Sequence, residues 1–161
     1  LDHEYKRNGR VNIFVAVAPF KGTRTVIVTK RRTAQDTADF LWDYCVEKHK
    51  DALHIHLVLD NLNTHTETSL RRIFGEEKSA LFFSRVTLHF TPKHASWLNM
   101  AELEINALKT QGLKKRIPSE EEMRQVVEGI VTERNGRGAR ISWGFTKAKA
   151  REKFPTLYSE D

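Results

Sequence analysis

The residues best placed for chemistry in this sequence are acids that close or open apolar runs. His54-Ile-His-Leu-Val-Leu-Asp60-Asn-Leu-Asn-Thr-His65 holds an apolar run of strand length (Ile55, Leu57, Val58, Leu59) that stops at Asp60 and passes into turn-forming residues. Unbroken apolar character predicts a strand buried on both faces, as in the middle of an α/β sheet. Asp60 then sits at the strand's carboxyl end, where open α/β sheets place their ligands. Glu102 and Glu104 fall in the first turns of the helical pattern that follows the next strand. Carboxylates brought together from such ends, with no thiol or imidazole ligand set, suit hard oxygen-seeking cations, Mg²⁺ or Mn²⁺. Two such ions activate an attacking oxygen and stabilise a leaving one in phosphodiester chemistry. A plainer account is equally open for Asp60, as the start of an Asx turn or a helix cap, and is the stronger one for the glutamates, which a helix dipole favours on its own. Residues two apart on a helix point roughly opposite ways, at about 100° per residue. Only one glutamate can therefore face the strand end, and periodicity does not choose between them.

The elements that must position these acids follow in order. Val11-Asn-Ile-Phe-Val-Ala-Val17 reads as a strand, and Pro19 to Thr23, with Gly22 as turn residue, leads to a second at 24–29, an antiparallel hairpin. Lys30-Arg31-Arg32 is a short basic run. Thr33 with Asp36 forms a capping box, and Ala34, Ala38, Leu41 and Cys45 recur at helical spacing until about His49. The strand at 54–60 is followed by helical patterns around 66–74 and 76–83, divided by Gly75, and by an alternating strand at 86–90 that stops at Thr91-Pro92. A helix from Trp97 to about Leu113 carries Leu98, Ala101, Ile105 and Leu108 as its stripe. Ser119 and Glu122 make a second capping box ahead of Met123, Val126, Val127, Ile130 and Val131, and Asn135-Gly136 ends that helix. A short apolar piece at 141–145 precedes a basic helix at about 146–153. The order β-β-α-β-α-β-α-α describes one mixed α/β domain over residues 1–161.

Composition bounds the partners. With 39% hydrophobic and 30% charged residues the chain is a folded domain rather than a disordered one. It has no apolar run long enough to span a bilayer and no signal peptide, so no membrane role is expected. A net charge of +6 favours polyanionic partners. The single cysteine, Cys45, lies in an apolar helical pattern, which predicts a buried structural thiol and a reducing, cytoplasmic setting. P-loop, dinucleotide glycine, Gly-x-Ser-x-Gly and zinc-type Cys/His motifs are absent.

Asp60-Asn-Leu-Asn-Thr-His65 and Thr91-Pro-Lys-His-Ala-Ser-Trp-Leu-Asn-Met-Ala-Glu102 together resemble the second and third catalytic motifs of DDE transposases, closest to the mariner-like group of bacterial insertion sequences. That family pairs Asp-Asn-x-x-x-His with Leu-Asn-x-x-Glu. Here these are Asp60, Asn61 and His65, then Leu98, Asn99 and Glu102. Asn8 to Phe14 and Arg31 to Ala34 are similar to the same group. The resemblance implies a ribonuclease H-like fold, a mixed sheet flanked by helices, and selects Glu102 over Glu104 as the third acid. It implies two Mg²⁺ (or Mn²⁺) ions in the intact enzyme, with Asp60 and Glu102 as catalytic and metal-binding residues. It also implies DNA as partner, both transposon ends and target, and a cytoplasmic, nucleoid-associated bacterial protein. The family's first catalytic Asp stands on a central strand upstream of the segment resembling Leu1 to Arg10. Asp2, Asp36, Asp39, Asp43 and Asp51 do not match it. The expectation is a domain lacking that strand and acid, a fragment or a truncated element. It should be weak or inactive alone, with its exposed strand edges filled by an N-terminal segment or covered in a homodimer. The rivals are a ribonuclease H-like nuclease without strand transfer, and an inactive remnant serving as a DNA-binding or dimerisation module.

The remaining polar residues have two readings each. Asn61 either stabilises the turn or holds the Asp60 carboxylate. His65 fits a structural or DNA-contact role better than metal ligation. Lys93 and His94 reach phosphate or form a solvated loop. Trp97 either wedges beside a base or, as the first large residue of an amphipathic helix, packs in the core, the reading favoured here. Asn99 caps its helix or orients Glu102. Lys109, Lys114, Lys115 and Arg116 form the best row for DNA backbone contacts, the alternative being an ordinary solvated face. Arg140, Lys147, Lys149, Arg151 and Lys153 come next.

Overall fold

A computed structural model describes residues 10–60, 66–91 and 99–153. Strand β1 (Asn12–Ala18) turns into β2 (Thr23–Thr29) as an antiparallel hairpin. Gly22, at φ +67°, completes the turn, and a Cβ there would lie 2.7 Å from the Gly138 carbonyl oxygen. The tip is thus pressed against the loop that leaves the fourth helix. Helix α1 (Ala34–Trp42) starts at the predicted capping box, with Thr33 Oγ1 accepting from the Asp36 amide and the Asp36 carboxylate accepting from the Thr33 amide. It runs on as one wider π-helical stretch, Asp43–Lys48. Strand β3 (Ile55–Leu59) and helix α2 (Glu67–Arg85) follow. Gly75, at φ +74° and ψ −177°, breaks α2 where the sequence divides its two helical patterns. Strand β4 (Val86–Phe90) pairs with β3 in parallel. Helices α3 (Ala101–Gln111), α4 (Glu120–Gly136) and α5 (Lys147–Lys153) complete the order. The apolar piece at 141–145 forms neither strand nor helix.

The strands form two separate pairs, β1–β2 and β3–β4, and among the described residues no ladder joins them. Both pairs nevertheless stand on one core. Phe14 and Ala16 of β1, Ile27 of β2, Ile55, Leu57 and Leu59 of β3, and Val86 and Leu88 of β4 pack with Phe40, Leu41, Tyr44, Leu70 and Phe82 of the α1–α2 layer. Cys45 is fully buried there, and burial pushes its thiol up to about 12. The opposite side of β1 and β2 is covered by α3 and α4, which bury Val28, Leu108, Val127 and Ile130. At Gly112, the C-cap of α3, a Cβ would lie 2.5 Å from Ile130 Cδ1, so glycine sets how closely the two helices approach.

One expectation is corrected. Strand β3 is buried on one face only. Its odd-numbered residues face the core, while His56 and Val58 are exposed. Among the described residues no layer covers the outer side of β3–β4, so a run of mostly apolar residues does not here mean two buried faces.

Candidate active site

The register of β3 fixes where Asp60 goes. Leu59 faces the core, so the next residue emerges on the outer side, at the strand's end. The Thr91 amide donates to the Leu59 carbonyl (3.0 Å), so β4 ends level with it. Asp60 is half-buried, and Asn99 Nδ2 donates to its Oδ1 at 2.9 Å. Asn99 Oδ1 accepts in turn from the Ala101 amide at 3.0 Å. One carboxamide therefore holds the strand-end acid with its nitrogen and caps the start of α3 with its oxygen. Both ends of the amide are assigned by their partners.

The first turn of α3 is tight. The Glu102 amide donates to the Asn99 carbonyl at 3.0 Å and the Leu103 amide to the Met100 carbonyl at 3.1 Å, both i to i+3 bonds. Glu102 thus sits in the opening turn, its backbone tied to Asn99. Glu102 is half-buried, and among the described residues its carboxylate has neither an ion pair nor a hydrogen bond.

Glu104 lies on the other side of the helix and has no exposed surface. Arg134 of α4 grips it with two hydrogen bonds, Nε to Oε1 at 2.7 Å and an amino nitrogen to Oε2 at 3.1 Å. Arg24 of β2 brings Nε to 3.1 Å from Glu104 Oε1, close enough for an ion pair yet out of line for a hydrogen bond. The rest of Arg24 is engaged by Asn135 Oδ1 (3.1 Å) and by the Ala139 carbonyl. Asn135 also exchanges hydrogen bonds with the Arg24 backbone, at 2.9 and 3.0 Å. This buried Arg–Glu–Arg cluster pins α3 to β2 and α4 and leaves Glu104 no free oxygen for a ligand.

Asp60 and Asn99 are in direct contact, and the Glu102 backbone is bonded to that of Asn99. Lys109 is exposed in the last turn of α3, and Lys114, Lys115 and Arg116 are exposed in the stretch beyond it. Lys109 thus lies at the opposite end of α3 from Glu102. Asn61, His65, Lys93, His94 and Trp97 lie outside the described residues. Arg24, Arg134 and Asn135 escaped the sequence reading. The signal was a charged residue, Arg24, on the same strand face as Val26 and Val28.

A family model for the DDE superfamily endonucleases matches residues 2–124. The chain belongs to that superfamily. The match spans β1 through α3 and the opening of α4, and so contains Asp60, Asn99, Glu102 and the Arg24–Glu104 contact. No curated protein and no solved structure shows a significant match. Membership makes this DDE domain a nuclease-type enzyme of mixed α/β build, whose substrate class is DNA. Among the described residues no helix is long and apolar enough to cross a membrane.

DDE endonucleases use divalent metal ions, and the donor set here is of the right kind, carboxylate oxygens without a thiol. Among the described residues no group of three or more His, Cys, Asp or Glu side chains could hold an ion. The described residues thus hold no complete ligand set of that kind.

Proposed function

We propose that this chain is the catalytic portion of a mariner-like bacterial DDE transposase, which cleaves DNA at transposon ends and joins the freed 3′-hydroxyl to target DNA. The observation that carries the reading is the Asn99 carboxamide, shared between Asp60 and the first turn of α3. It draws together the two sequence segments that resemble the family's second and third motifs. On this reading Asp60 and Glu102 would hold the metal, and Asn99 steadies Asp60 through Oδ1, which leaves Oδ2 as the oxygen that could bind it. Glu104 holds the helix. Divalent ions bound there, Mg²⁺ or Mn²⁺, supply activation of an attacking oxygen and neutralise charge on the phosphate. The row Lys109, Lys114, Lys115 and Arg116 would run along the DNA backbone, contributing affinity that falls with salt.

The first Asp of the triad has no counterpart in this site among the described residues, and two acids hold a metal pair weakly. The 161-residue chain is accordingly expected to be a poor nuclease by itself. The same incomplete ligand set favours a second reading, an inactive remnant that binds DNA or a partner copy.

Mn²⁺ titration followed by electron paramagnetic resonance, paired with a strand-transfer assay on pre-cleaved ends, separates these readings. The transposase reading expects weak Mn²⁺ binding that drops at least tenfold in both D60N and E102Q, and slow joining that both substitutions abolish. Nicking without joining would make the chain a plain nuclease. Mn²⁺ affinity untouched by either substitution would sink the metal-site assignment altogether.

A further inference from the structure

The open face of β3–β4 carries three imidazoles that the cleavage chemistry does not use. His54, His56 and His89 are all exposed. His56 Nδ1 lies 3.0 Å from His89 Nε2, with ring centroids 5.2 Å apart. The His54 ring lies 5.0 Å from that of His56, and its Nε2 is 2.8 Å from Thr87 Oγ1. In the parallel register His56 stands opposite Thr87 and Val58 opposite His89, so His56 and His89 are diagonal neighbours on adjoining strands. The backbone ladder fixes both anchor points, and only the side-chain torsions remain to adjust.

A neutral imidazole has one N–H and one lone pair. At 3.0 Å the His56–His89 contact is a single hydrogen bond, one ring donating and the other accepting. We propose that this pair is a two-imidazole site for a borderline transition-metal ion (Zn²⁺, Ni²⁺ or Cu²⁺), separate from the carboxylate site at Asp60. Two nitrogens on a tetrahedral ion with bonds of about 2.0–2.1 Å lie roughly 3.4 Å apart, and cis nitrogens in a square plane roughly 2.9 Å. The observed 3.0 Å falls between the two, so a small ring rotation opens the pair to either geometry. On binding, the bridging proton passes through solvent to the other nitrogen of its own ring. Both facing nitrogens then present lone pairs.

The protein supplies two ligands, and water completes the shell, because no third His, Cys, Asp or Glu closes a set among the described residues. His54, engaged with Thr87, stays beside the ion rather than on it. Mg²⁺, which prefers oxygen ligands, is excluded from an imidazole pair. The occupied site ties β3 to β4 and stabilises the pair by mass action.

Zn²⁺ titration calorimetry on the 161-residue chain, in excess Mg²⁺, tests this without any activity assay. Zn²⁺ affinity is expected to fall at least tenfold in His56→Gln and in His89→Gln and to stay unchanged in Asp60→Asn. Both histidines are exposed, so the metal-free variants should melt with the wild type. Imidazole nitrogen resonances of the wild-type chain give a second readout, with those of His56 and His89 shifting first as Zn²⁺ is added. Zn²⁺ affinity unaffected by both histidine substitutions, or lost in Asp60→Asn, overturns the assignment, as does the absence of any binding at millimolar Zn²⁺. The nuclease reading is untouched by either result.

Discussion

Glu102 and Glu104 show where a pattern in the sequence stops being informative. Helical spacing establishes that they point in nearly opposite directions. Which one turns inward depends on Arg24 and Arg134, residues 80 and 30 positions from Glu104 in the chain, and no local pattern reports that. The family motif chose Glu102, and the geometry independently finds Glu104 consumed by arginines. Asn99 was legible in part: it bonds the start of α3 as a cap would, but the acid its other end holds is Asp60 and not Glu102, the one the sequence suggested. His49 was not marked at all. Its ring packs edge-on against Tyr44, at 4.7 Å, and burial, then the nearby charges of Lys21 and Lys48, hold its pKa below the ordinary 6.5. The unfolded chain therefore takes up a proton at this position at a higher pH than the folded one. The resulting stability is complete above about pH 6.5 and declines as pH falls from there toward the folded value. Urea midpoints at about pH 7.5 and about pH 5.5 should differ more in the wild type than in His49→Gln. Equal differences would remove His49 as the source.

At the scale of elements, caps and turns were the most legible features. The capping box predicted at Thr33–Asp36 is present in full, Ser119 caps its helix by accepting from the Glu122 amide while the Glu122 carboxylate accepts from the Ser119 hydroxyl instead of its amide, and Gly22 and Gly75 take the positive φ values that their positions require. These are decided within a few residues of chain. The uncovered face of β3 was misread because burial of a strand depends on what packs over it, not on its own residues. Helix α3 depends on distant partners in the same way. Glu104→Gln leaves buried Arg24 and partly exposed Arg134 without a counter-charge and should cost about 3 kcal/mol. Replacing the whole cluster, as in the triple variant Arg24→Met, Glu104→Leu, Arg134→Met, should recover most of that loss, since apolar groups of similar volume need no pairing. Thermal melts of the two variants decide the point. A triple variant no more stable than the single would show that the cluster's hydrogen bonds to Asn135 and Ala139 matter more than its charges.

For the molecule as a whole, the order of elements and the mixed α/β class were legible from periodicity alone, but the separation of the strands into two pairs was not. Pairing partners are a property of the assembled sheet. Within the described residues β1 and β3 each have one unladdered edge, and unsatisfied edge amides invite another strand. We expect the chain to self-associate, with sedimentation showing a dimer that dissociates on dilution and amides of β1 and β3 that exchange faster once it does. A monomer at every concentration, with slow exchange along both strands, would count against this.

The acids proposed to bind metal belong to different halves of this divided sheet. Asp60 is carried by β3, whereas Glu102 rides on a helix riveted to β2 through Glu104 and Arg24. Among the described residues, the Asn99–Asp60 hydrogen bond is the only direct strut between the two acid-bearing elements. Whatever bridges the halves also sets the spacing between the acids, so on the proposed reading a chain whose halves are not yet locked together would leave DNA uncut.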